Sequence, residues 1–155
     1  MQRLPHTRSC FVCGESNPVG LRLRFETDGV IVSAKFMPLA EHVGFKQTVH
    51  GGLAATLLDE IMVWACAVQT RQFAFCAELT VRFVQPIRPG SEVIGRGELV
   101  ENRRNKIFLA KAELSNPEGV LLATGTGKYL PMKESVAAGM ADDFVGDLSF
   151  FQRSQ

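Results

Sequence analysis

His50-Gly51-Gly52-Leu53-Ala54-Ala55-Thr56-Leu57-Leu58-Asp59-Glu60-Ile61-Met62-Val63-Trp64-Ala65-Cys66-Ala67-Val68 is the stretch on which the reading of this chain turns. From position 53 to position 68 it is apolar nearly all the way round, with Asp59 and Glu60 its only charges. The run is longer than typical strands, and its Ala, Leu and Met content favours helix. A helix that is apolar on every side must be wrapped by other structure. The paired glycines fit its start, where backbone without side chains permits another group to come close.

Working outward, Leu21, Leu23 and Phe25 alternate with Arg22, Arg24 and Glu26, the period of a strand with one wet face. Thr27-Asp28-Gly29 supplies a turn, residues 30–36 return as a second strand, and Pro38 closes it. Residues 39–49 have no steady period and read as a loop. Beyond the helix, strand-like segments at 73–84, 92–101, 106–114 and 120–130 are divided by short separators rich in Pro, Asn and Gly. Short separators make antiparallel neighbours the economical topology. The expected fold is α+β, a curved antiparallel sheet around a central helix. Residues 1–20 form a cysteine-containing turn segment, 21–131 the main domain and 132–155 an appendage. In the appendage, Phe144, Val145, Leu148, Phe150 and Phe151 make an apolar face expected to dock as a short helix.

Composition narrows the function. Among 155 residues, 46% are hydrophobic and 21% charged, ordinary for one globular domain. The 17 Lys and Arg against 16 Asp and Glu leave a net charge of +1 with interspersed signs, which argues against a nucleic-acid partner. The uncharged apolar run at 61–68 is far short of the ~18 residues that span a bilayer, so no membrane partner is expected. Residues 1–10 hold no continuous apolar core of the kind a secretory signal needs, and a cytoplasmic protein with reduced thiols follows as the simplest expectation.

Asp59 and Glu60 sit where water is scarce, and an unpartnered buried carboxylate is costly, so the pair invites a functional explanation. Gly51 and Asp59 are separated by ~12 Å of helical rise. One helix therefore cannot bring its own first amides against its own Asp59. A two-fold dimer would set the helix start of one subunit opposite Asp59 of the other. Such a pairing suits acyl transfer: free N–H groups at the helix start hold a carbonyl oxygen as it becomes negative, and the carboxylate activates water or attacks the carbonyl itself.

Val49-His50-Gly51-Gly52 followed by Ala54-Ala55-Thr56-Leu57-Leu58-Asp59-Glu60 resembles the signature of hotdog-fold thioesterases of the phenylacetic-acid-degradation (PaaI) type, related to 4-hydroxybenzoyl-CoA thioesterases. The resemblance runs from about residue 21 to residue 130 and includes Leu79-Thr80-Val81-Arg82-Phe83-Val84-Gln85-Pro86-Ile87. It implies a metal-independent acyl-CoA thioesterase without cofactor, acting as a homodimer or homotetramer. It also implies that the Gly51 N–H polarises the thioester carbonyl, that His50 and Gly52 shape that site, and that Asp59 of the other subunit is general base or nucleophile. Two positions depart from the pattern. Gly44 stands where some members carry a carbonyl-binding Asn, and Cys76 where a Ser or Thr often orients the lytic water; a thiol is the weaker hydrogen-bond partner. The acyl group is expected in an apolar channel between subunits, lined by the helix and the loop around Val43 to Phe45, with Gly44 and Phe45 as substrate-binding residues.

Several residues have a plainer reading beside the functional one. Gly51 and Gly52 also suit close helix packing, and His50 also suits a helix cap. Glu60, about 100° around the helix from Asp59, reads as structural or as an Arg partner. Trp64 and Cys66 read as core. Arg103, Arg104 and Lys106 cluster in one turn with Lys128 on the last strand; such a cluster is usually a solvated face, yet it suits the phosphates of coenzyme A. Cys10-x-x-Cys13 with His6 offers three zinc ligands where a structural site normally has four, so the expectation is a metal-free turn packing its thiols against the sheet. The alternative function is a hotdog module that binds acyl-CoA without turning it over; a hydroxyacyl-thioester dehydratase has less support, because no His lies in a dehydratase-like Pro/Gly motif.

Overall fold

Helix α1, Gly51–Thr70, is the axis of the computed structural model, which describes residues 1–149. His50 caps its start, Nδ1 accepting the Gly52 N–H at 2.8 Å. Arg71 ends it in the left-handed conformation at φ 58°, its N–H donating to the Ala67 carbonyl at 2.8 Å. By length and composition α1 would pass for a membrane span, with a mean hydropathy of 1.5. Its burial against the sheet accounts for that character: Leu57, Leu58, Ile61, Met62 and Trp64 are all buried in the protein core.

Ahead of α1 lie β1 (Gln2–Arg3), β2 (His6–Thr7), β3 (Phe25–Thr27), β4 (Val32–Phe36), β5 (Val43–Phe45) and β6 (Thr48–Val49). After it come β7 (Ala74–Phe83), β8 (Val93–Arg103), β9 (Ile107–Ser115), β10 (Leu121–Pro131), the short helix α2 (Glu134–Ala138) and β11 (Phe144–Val145). Seven strands form one antiparallel sheet in the order β1-β3-β4-β8-β9-β10-β7, curved around α1. Small residues on its inner face let the helix approach. A Cβ on Gly125 would stand 3.3 Å from Leu58 Cβ, and one on Gly97 would stand 2.6 Å from Ile61 Cγ2.

The α+β expectation agrees with this arrangement, and local departures have local causes. The Leu21–Phe25 alternation correctly buries Leu23 and Phe25, but the strand starts only at Phe25. Arg22 takes a left-handed φ of 55°, and the Leu21 and Leu23 amides donate to the Phe11 and Val12 carbonyls. This stretch is thus zipped to the N-terminal turn. The expected loop at 39–49 instead contains a 3-10 turn, Ala40–His42, and the β5–β6 hairpin. The appendage docks, though as a strand: β11 pairs with β2, and the Phe144 ring lies 5.2 Å from that of Phe73, which meets Trp64 edge-on at 5.5 Å. Phe150 and Phe151 lie outside the described residues.

β7 ends the sheet with one edge unpaired among the described residues and most of its side chains exposed, Phe75 at 54% and Phe83 at 58%. A long apolar edge of this kind is a ready template for another strand.

Candidate active site

The start of α1 has one free donor. The Gly52 N–H is spent on His50 Nδ1 and the Leu53 N–H on the His50 carbonyl at 2.9 Å, whereas the Gly51 N–H has no acceptor among the described residues. Because Nδ1 accepts, a neutral His50 carries its proton on Nε2. His50 is thus a helix cap in this structure, and capping leaves Gly51 as the available amide. Glycine is required around it by contact. A Cβ on Gly51 would touch the Phe83 ring at 3.2 Å, one on Gly52 would press on His50 Nδ1 at 2.9 Å, and one on Gly44 would press on His50 Cδ2 at 2.9 Å. Gly44 therefore seats the capping histidine. Phe45, next along β5, is 84% exposed.

Two turns further on, Asp59 is half-buried and accepts a hydrogen bond from the Tyr129 hydroxyl, 2.9 Å from Oδ1. Tyr129 itself has no exposed surface, and burial, then the Asp59 charge, raises its hydroxyl well above the usual tyrosine range. It stays a protonated donor. Cys76 is the cross-strand partner of Tyr129, at a register shift between Lys128 and Tyr129. Partial burial, then the Asp59 charge and a hydrogen bond to that carboxylate, push the Cys76 thiol up to about 11. Asp59, Tyr129 and Cys76 thus form one cluster in which both neighbours of the carboxylate are protonated. Tyr129 was not among the residues singled out from sequence. It lies 70 residues from Asp59, and the one signal it offered was being the chain's single tyrosine.

Strand register separates the basic residues from the helix start. Phe83, which touches Gly51, lies in the row of Ala123 and Leu114, whereas Asn102 lies in the row of Phe108 and Tyr129. The Arg103-Arg104-Asn105-Lys106 turn therefore sits at the Tyr129 end of the sheet, away from Gly51 of the same chain. Arg103 pairs with Glu101 at 3.1 Å. Lys128 pairs with Glu78 at 2.9 Å, and its alternation with buried Tyr129 puts it on the sheet face turned away from α1. Of the four cations, Arg104 and Lys106 have no ion pair among the described residues.

Glu60 projects from α1 toward the N-terminal turn. Its Oε1 accepts from Trp64 Nε1 at 3.3 Å and lies 3.9 Å from Cys10 Sγ, so its partners are an indole and a thiol, not an Arg. Burial, then the charges of Cys10 and Asp59, push its carboxyl up to about 8. The thiols of the N-terminal turn consequently face the helix instead of the sheet. His6 is not with them; its Nε2 bonds Glu15 at 3.0 Å.

Two of the concavities among the described residues stand out. One of about 1240 Å³ lies over the outer sheet face around Lys35, Arg96 and Lys111, and one of about 450 Å³ lies beside Glu60, Trp64 and Phe144. Neither is lined by His50, Gly51 or Asp59. A single chain holds the two halves of the candidate site on one helix, Gly51 in its first turn and Asp59 two turns further on.

The family model of the thioesterase superfamily matches residues 46–123, half of the chain, and covers Gly51, Asp59 and Cys76. The chain belongs to the thioesterase superfamily. Its fold, the hotdog fold, agrees with solved structures of that superfamily. One thioesterase superfamily protein superposes with a TM-score of 0.73 at 22% identity, over 79% of this chain and 63% of that one, so this chain spans under two thirds of its length. The E. coli PaaI protein of the phenylacetic acid degradation operon gives 0.66 at 19% identity, over 73% of this chain and 81% of PaaI. A Streptococcus mutans protein bound to acetyl-CoA gives 0.66 at 15% identity, over 76% of this chain and 94% of that one. No curated protein matches the thioesterase superfamily chain described here in sequence.

Proposed function

We propose that this superfamily member hydrolyses acyl-CoA thioesters to a carboxylic acid and free coenzyme A, in an active site shared between two copies of the chain. The observation that carries the reading is the pair on α1, a Gly51 N–H with no acceptor among the described residues and, ~12 Å along the rise, an Asp59 held by Tyr129. The exposed β7 edge supports a two-fold partner, which would complete each half. A thioester carbonyl oxygen accepts from the Gly51 N–H of one subunit. Asp59 of the other subunit takes a proton from water as the water oxygen bonds to the carbonyl carbon. The tetrahedral intermediate then breaks its C–S bond, and the departing thiolate takes the proton back from Asp59. Asp59 attacking the carbonyl directly is the alternative first step, in which water later hydrolyses the mixed anhydride. Every step is supplied by protein groups and water.

Tyr129 fixes the carboxylate, and Cys76, a protonated thiol beside it, would orient the water. Arg104 and Lys106, free of ion pairs among the described residues, suit the phosphates of the nucleotide; the acetyl-CoA bound by the Streptococcus mutans relative supports that ligand class. Gly44 and Phe45 border the helix start, where the acyl chain would enter.

A second reading, a module that binds acyl-CoA without hydrolysis, is favoured by Cys76, whose thiol is a weaker water-orienting group than a hydroxyl. A thiol-release screen over short, medium, long and aromatic acyl-CoA esters separates the two. Release with at least one ester, abolished in Asp59→Asn, supports hydrolysis. Saturable binding with no release across the panel selects the binding module.

A further inference from the structure

The N-terminal turn, the middle of α1 and the docked C-terminal segment converge on three potential metal ligands outside the candidate active site. The sulfurs of Cys10 and Cys13 and a carboxylate oxygen of Glu60 all lie within 4.8 Å of one another. We propose that Cys10 Sγ, Cys13 Sγ and Glu60 Oε1 bind one zinc-type divalent cation, with a water in the fourth position, fastening the N-terminal turn to the central helix.

Distance, donor type and backbone support it independently. Tetrahedral zinc, with Zn–S near 2.3 Å and Zn–O near 2.1 Å, needs ligand atoms roughly 3.5–3.8 Å apart. Cys10 Sγ and Glu60 Oε1 are 3.9 Å apart and every pair in the set lies within 4.8 Å, so side-chain rotation of about 1 Å closes it to that geometry. The loop is shaped around a sulfur anion. The Val12 and Cys13 N–H groups point at Cys10 Sγ at 3.2 and 3.5 Å, and the Gly14 N–H closes the turn on the Cys10 carbonyl at 2.9 Å. Gly14 cannot be replaced within this loop, because a Cβ there would stand 2.8 Å from the Arg8 carbonyl oxygen. Three acidic donors brought together in a partly buried cluster either keep their protons or share a cation, and a divalent cation satisfies all three at once. The guanidinium groups of the same segment are engaged elsewhere, Arg8 on the Asp142 carbonyl and Arg24 on the Cys13 carbonyl. The 450 Å³ concavity opens directly onto the cluster, bordered by Thr7, Ser9 and Asp143, which leaves room for the fourth ligand. The cysteines are not joined as a disulfide.

The test uses the full chain, expressed without a histidine tag and purified under reducing conditions. Expected results are one zinc per chain by elemental mass spectrometry, and, after exchange into cobalt, a thiolate-to-cobalt charge-transfer band with tetrahedral d–d absorption. In the wild type, Cys10 and Cys13 resist alkylation until a chelator is added. Glu60→Gln keeps both sulfurs and weakens zinc by at least about tenfold. Cys10→Ser/Cys13→Ser loses the metal; because that variant depends on folding, the wild-type alkylation result stands on its own. Trace metal with no cobalt bands in the reduced wild type, a Cys10–Cys13 disulfide that excludes metal, or full metal content in the double-serine variant would each overturn the site.

Discussion

Asp59 depends on two neighbours, and each makes a separate prediction. Asp59→Asn keeps the shape and removes the base; turnover should fall by ~10²- to 10⁴-fold while thermal unfolding stays close to wild type. Tyr129→Phe removes a hydrogen bond to a charged group, worth about 1.5–3 kcal/mol in stability. Its expected signature is a drop in kcat of roughly tenfold with KM little changed, since Tyr129 positions the base without touching substrate. Cys76 gives the pH-dependent case. A thiol raised from 9.0 to about 11 carries far less thiolate at pH 8 than an ordinary one, so Cys76 should be alkylated roughly 100-fold more slowly, accelerating until about pH 11. The sign follows from the same shift: the folded state keeps a proton that the unfolded state loses above pH 9, so this group's contribution to stability declines between pH 9 and about 11. Burial is the larger cause of the raised thiol and the Asp59 charge the second, so Asp59→Asn should speed its alkylation at pH 8 in part, which mass spectrometry of the Cys76 peptide measures. Asp59 was legible in sequence, because a carboxylate in an apolar helix is conspicuous. Tyr129 was not, because only the fold brings a residue from the last long strand onto that helix. Of the two readings of Glu60, structural or an Arg partner, the Arg is not found among the described residues; its thiol partner, 50 residues away, left no local signal.

At the level of elements, α1 and the four long strands after it were legible from period and separators, since each is long and bounded by turn chemistry. The first strand was only half legible. Its alternation reported which side chains are buried, but the left-handed Arg22 broke the ladder, and backbone conformation at one residue leaves no mark on hydropathy. The β5–β6 hairpin was hidden because its strands are three and two residues long. The seat of the Tyr129 ring against its own strand, β10, yields a further prediction. Gly127→Ala places a methyl into the Tyr129 ring, 2.5 Å from Cε2, and should cost about 1–3 kcal/mol in thermal or denaturant unfolding. His50→Ala removes the cap on Gly52 and should cost about 0.5–2 kcal/mol by the same measurement.

For the whole molecule, family and fold are secure from the superfamily match and the superpositions, whereas the active site as proposed is complete only in a pair of chains. The exposed β7 edge and the separation of Gly51 from Asp59 along one helix support the proposed two-fold assembly. Mixing two inactive variants tests that directly. Gly51→Val, whose side chain would strike Phe83 and block the amide, is combined in equal amounts with Asp59→Asn, and subunit exchange is verified by native mass spectrometry. Half of the randomly assorted dimers are mixed, and each mixed dimer has one site with both groups intact, so thioesterase activity should return to roughly a quarter of wild type. Verified mixed dimers of folded chains with no recovered activity would contradict the shared site.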